Sequence, residues 1–155
     1  MVFFLPMFFL FSCSWITHFA VANRSDQTVG LTYAFKHGAA GTGCTRCFDI
    51  ENFGGPETPA GGEFRDAETV WEALPADRFA LSEDRCTVAL TLEPGQIVKI
   101  GSMATYTGHK SGRQAHFRIA RLTLQTDKGT ITYSDFELVR QFKKKSDLLY
   151  VLAYE

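Results

Sequence analysis

Apolar and polar residues alternate with a period of two through most of this chain, and that period predicts strands rather than helices. Thr17, Phe19 and Val21 alternate toward one side, and Asn23-Arg24-Ser25-Asp26 supplies turn residues before Val29, Leu31, Tyr33 and Phe35. The two runs read as a hairpin. Cys86, Val88, Leu90 and Leu92 repeat the pattern, Glu93-Pro94-Gly95 turns the chain, and Ile97 to Ile100 returns as a second hairpin. A further strand spans Ala115 to Gln125. Phe117 and Ile119 hold one phase there and Leu122 and Leu124 the other, so a bulge near Ala120 is needed to bring both pairs into a core. Asp127-Lys128-Gly129 then turns the chain into Thr130-Ile131-Thr132-Tyr133.

Helical signals are fewer. Asp66 to Leu74 predicts a short helix with acids in its first turn, Val70, Trp71 and Leu74 on its buried side, and Pro75 as its stop. Ser134 and Glu137 form an S-x-x-E capping box ahead of Phe136, Val139 and Phe142, with Lys143 to Lys145 suiting the C-terminal end. Leu148 to Tyr154 is apolar on both faces and predicts a central strand. The glycines and prolines from Gly38 to Gly62 make regular structure costly, so residues 38–62 read as a long loop. About seven strands with one or two short helices predict a mainly β fold, an antiparallel β-sandwich of immunoglobulin-like architecture. A small closed β-barrel is the alternative.

The 155 residues, 45% hydrophobic with 14 Phe, suit one globular domain over residues 15–155. A formal net charge of -1 gives no electrostatic reason to bind nucleic acid. The charge is uneven, however. From Asp49 to Asp84 the acids face only Arg65 and Arg78, whereas from Gln96 to Gln125 the cations Lys99, Lys110, Arg113, Arg118 and Arg121 occur without one acid. Two readings stand: the segments neutralise one another, or the cations form a basic face for an anionic partner.

The leader carries the compartment argument. Met1 to Phe11 is apolar or Pro throughout, too short to span a bilayer as a helix but fitting the apolar region of an export signal. The first full charge is Arg24, a departure from the positive start such signals normally have. Leu10-Phe11-Ser12-Cys13 resembles a bacterial lipoprotein box, which implies cleavage before a lipidated Cys13, so that residues 1–13 hold the signal and its anchor. Ala20-Val21-Ala22 offers one alternative, an ordinary cut that makes the signal residues 1–22, and an uncleaved or cytosolic chain is the other. That cut discards an arm of the first hairpin, which favours Cys13. The expected locations are accordingly the periplasm or outer membrane of a bacterial envelope, or secretion. Asn23-Arg24-Ser25 is also a glycosylation sequon, relevant only in a eukaryotic secretory route.

The cysteines offer the main chemistry. Cys44-Thr45-Arg46-Cys47 lies in glycine-rich loop rather than at a strand–helix junction, against a thioredoxin-like role, and Phe48 stands where haem attachment needs His. His37, Cys44, Cys47 and Cys86 are adequate ligands for tetrahedral zinc. A structural disulfide is the plainer reading: joining Cys44 or Cys47 to Cys86 closes a loop of about 40 residues, a constraint of roughly 4 kcal/mol, about twice that of a Cys44–Cys47 link. Which of the two pairs with Cys86 stays open. His109-Lys110-Ser111-Gly112-Arg113 reads as a solvated hairpin tip or an anion-binding loop.

No nucleophile elbow, metalloprotease or phosphate-loop motif is present, and no cofactor is implied. The sequence therefore predicts a non-catalytic binding or structural module of the envelope, held to the membrane through Cys13, with a protein, glycan or lipid headgroup as partner. A zinc-dependent or thiol enzyme built on Cys44, Cys47 and Cys86 is the alternative.

Overall fold

The computed structural model describes residues 14–36, 55–65, 68–106 and 118–155. The strands among them are β1 (Ser14–Asn23), β2 (Val29–Phe35), β3 (Glu57–Pro59), β4 (Trp71–Ala73), β5 (Phe79–Leu81), β6 (Thr87–Leu92), β7 (Ile97–Tyr106), β8 (Ile119–Thr126), β9 (Gly129–Ser134), β10 (Lys143–Ser146) and β11 (Leu149–Tyr154), with one α-helix, α1 (Asp135–Gln141). They form a six-stranded sheet in the order β10-β11-β1-β7-β3-β4 and a five-stranded sheet in the order β5-β6-β2-β8-β9. The fold is mainly β, as the period-two pattern predicts. Both sheets are open among the described residues, so the closed barrel is set aside. Pairing is antiparallel except between β1 and β11, which run parallel with His18 opposite Leu149 and Asn23 opposite Tyr154.

One core serves both sheets. Phe19, Val21, Val98, Ile100 and Leu152 enter it from the six-stranded sheet, and Val29, Leu31, Tyr33, Val88, Leu92, Leu122 and Leu124 from the other. β1 is buried on its second side too, where Ala20 and Ala22 pack with Ile97, Leu149 and Val151 beneath Phe64 and Trp71. A strand flanked by two ladders and covered on both faces is among the most deeply held pieces of a β fold.

The first two hairpins are corrected. β1 pairs with β11 and β7, whereas β2 pairs with β6 and β8, so Asn23-Arg24-Ser25-Asp26 carries the chain from one sheet to the other. Glu93-Pro94-Gly95 does the same between β6 and β7. Alternation marks the face a strand buries, and a facing sheet satisfies it as well as an adjacent strand. Asn23 fixes both crossings: it is 1% exposed, its amide donates to the carbonyls of Gln27 at 2.6 Å and Leu92 at 3.0 Å, and its own carbonyl accepts from the Gly95 N–H at 2.8 Å. The sequon amide is therefore committed inside the fold. By contrast β8 and β9 form a true hairpin about Asp127-Lys128, with Thr126 opposite Gly129. The bulge stands at Ala120, where the register passes from Ala34 opposite Arg121 to Phe35 opposite Ile119. It buries Ile119, Leu122 and Leu124 together.

Three further expectations change. Trp71 to Ala73 is a strand against β3 rather than part of a helix, and Val70 is 70% exposed; pairing with a neighbour replaces the costly nucleus of a very short helix. The expected loop at 38–62 contains β3 near its end, with residues 38–54 outside the described set. The second helix forms, but Ser134 makes no side-chain capping bond and Phe136 is 47% exposed, its ring 4.2 Å from the Arg140 guanidinium carbon. Leu138 and Phe142 supply the buried contacts. Lys143 to Lys145 open β10 instead of ending the helix. β11 lies between β10 and β1, internal as expected.

Candidate functional site

A polar cluster with a half-buried histidine and a buried lysine lies on the face of the six-stranded sheet turned away from the shared core. A β-bulge creates it. Phe19 lies opposite Gly101 and Ala20 opposite Lys99, which leaves Ile100 as the extra residue of β7. Ile100 packs in the core, and a Cβ on Gly101 would meet the core residue Ile119 at 3.9 Å, so two successive residues face inward. The phase then flips. Ser102 joins Lys99 on the outer face, directly opposite His18, which is the re-aiming that bulges perform.

Two linked interactions result. His18 Nδ1 and Ser102 Oγ share a hydrogen bond of 2.8 Å. Beside them Lys99, 8% exposed, pairs with the Glu57 carboxylate and lies 5.6 Å from the Trp71 ring centroid. Register explains the meeting: Glu57 of β3 stands opposite Lys99, and Pro59 two residues on stands opposite Trp71 of β4. The long methylene stem of Lys99 is thus wrapped by apolar neighbours while its ammonium meets a carboxylate and an aromatic face.

Burial, then the Lys99 charge, lower the His18 pKa below its ordinary 6.5, with Glu57 opposing weakly. The lowered value favours the neutral imidazole, whose Nδ1 accepts from the Ser102 hydroxyl in one tautomer and donates to its Oγ in the other. The lowered value makes folding less favourable in acid: the contribution is intact above 6.5 and is lost as pH falls through the folded-state value, because the unfolded chain takes up the proton first. Urea unfolding from about pH 7 to 5 is expected to show a declining stability that His18→Gln flattens. An unchanged slope in that variant would assign the decline elsewhere.

Of the residues nominated from sequence, Cys13, His37, Cys44, Cys47, Lys110 and Arg113 lie outside the described residues. Cys86 is buried, and no second cysteine occurs among the described residues. Its carbonyl accepts from the Phe35 N–H at 2.8 Å, and that of Arg118 accepts from the Lys36 N–H at 2.7 Å, so both residues flank the same end of β2. The remaining cations separate. Lys99 is buried in the six-stranded sheet, whereas Arg121 is exposed on the other. Among the described residues no group of three or more His, Cys, Asp or Glu is placed to hold a metal ion, and no helix there is long and apolar enough to cross a membrane.

Sequence reading missed His18, Ser102, Glu57 and Trp71 as a group. Its one available signal was Lys99, a charge inside the apolar run Ile97-Val98-Lys99-Ile100. The chain matches no protein-family description, no curated protein and no solved structure.

Proposed function

We propose that this chain is an exported, lipid-anchored protein of the bacterial envelope, in the periplasm or at the outer membrane, that acts as a non-catalytic binding or structural module. The observation that supports it is the place of β1. Ser14 opens a strand set between β7 and β11 and covered on both faces, so cleavage before Cys13 spares the whole sheet and cleavage after Ala22 removes its middle. The two sheets on one core suit a sandwich of immunoglobulin-like general architecture, with the parallel β1–β11 pair as a variation on it. A disulfide at Cys86, which is buried in the fold, would suit an oxidising compartment and a stapled module better than a thiol or zinc centre. The partner we infer for this module is an envelope protein or glycan.

Intact-mass measurement of the purified protein tests the anchor. The expected product lacks residues 1–12 and carries lipid on Cys13, and Cys13→Ser abolishes the lipid mass. An N-terminus at Asn23, or an unmodified Cys13, would sink this reading.

A further inference from the structure

We propose that the outer edge of β9 joins two copies of this chain, strand to strand and antiparallel, about a two-fold axis normal to the five-stranded sheet. An edge strand presents a row of backbone N–H and C=O groups, and folded proteins blunt such rows with shortness or charge. Among the described residues the sheet edges are β4, β5, β9 and β10. β4 and β5 have three residues each. β10 carries Lys143, Lys144 and Lys145. β9 has neither device: its six residues, Gly129-Thr130-Ile131-Thr132-Tyr133-Ser134, are uncharged, rich in β-branched and aromatic types, and exposed except for half-buried Tyr133.

The strand is also complementary to itself. Ile131 and Tyr133 stand opposite Leu124 and Leu122, which face the core, while Thr130 and Thr132 stand on the other face opposite Gln125 and Thr123. Ile131 remains 37% exposed because β9 overhangs the rim of that core. A two-fold axis normal to the sheet keeps inner face with inner face. Centred on Thr132, it sets Ile131 against the partner's Tyr133 and Thr130 against the partner's Ser134, each contact occurring twice. Such an isologous contact closes at two copies. The sheet's opposite edge, β5, is too short to continue it into a filament.

Sedimentation equilibrium of the purified full chain, in density-matched detergent where lipid is attached, is expected to give the mass of two chains, declining toward one on dilution. Thr132→Lys places two ammonium groups against each other at the axis and is expected to give the single-chain mass with an unchanged near-UV circular dichroism spectrum. Thr91→Lys, an exposed position on β6 of the same sheet, keeps the dimer. A variant-free counterpart is amide exchange at residues 130–134, which slows as concentration rises. A single-chain mass at every concentration, a dimer that survives Thr132→Lys, or exchange at 130–134 independent of concentration overturns the proposal.

Discussion

A chain that begins at Asn23 is expected not to fold. Removing β1 takes Phe19 and Val21 from the shared core and Ala20 and Ala22 from the second cluster, and strips β7 and β11 of a common neighbour. Burial of Phe19 and Val21 alone contributes about 1.5–3 kcal/mol apiece. Loss of both ladders exposes two further strand edges in the middle of the sheet. Against a total stability of about 5–15 kcal/mol for an ordinary domain, the deletion removes most or all of the margin. The same chain started at Cys13 keeps every one of these contacts. Dispersed amide proton signals and a cooperative urea transition should appear in the longer form and be absent from the shorter. A shorter form that unfolds cooperatively at similar urea concentration would show β1 to be dispensable and would favour the cut after Ala22.

Glu57→Gln is expected to destabilise the protein by about 3 kcal/mol, the lower end of the range for stranding one partner of a buried ion pair. Lys99 has little access to water, and the Trp71 face alone replaces a carboxylate poorly. The double variant Glu57→Gln, Lys99→Met removes the charge that the single variant strands, and should recover most of the loss. Urea unfolding of the four proteins in the cycle measures the coupling directly. A loss of under about 0.5 kcal/mol for Glu57→Gln would mean that the pair behaves like an exposed one.

What the sequence revealed depended on whether one strand carried the information alone. Ile119 and Leu122 lie in opposite phases, and both are apolar, so the bulge at Ala120 follows from β8 by itself. Membership of a sheet does not. Phe19 and Leu31 alternate alike whether they share a ladder or face each other across a core, and the structure takes the second course. Trp71 and Lys143 to Lys145 belonged to runs too short for periodicity to separate strand from helix; contacts with Pro59 and with Tyr150 and Val151 decided them. The outer-face cluster was hidden for a related reason. His18 meets Ser102 only because β7 gains a residue at Ile100, and Lys99 is buried only because β3, distant in sequence, brings Glu57 alongside.

The parallel pairing of β1 with β11 bears on the timing of folding. His18 must wait for Leu149, so during synthesis β1 leaves the ribosome long before this neighbour exists, and the six-stranded sheet stays open along that seam until β11 has been made. Contacts this remote in sequence are slow to form. A nascent chain held unfinished for that interval offers a window in which a chaperone can take hold of it before it locks.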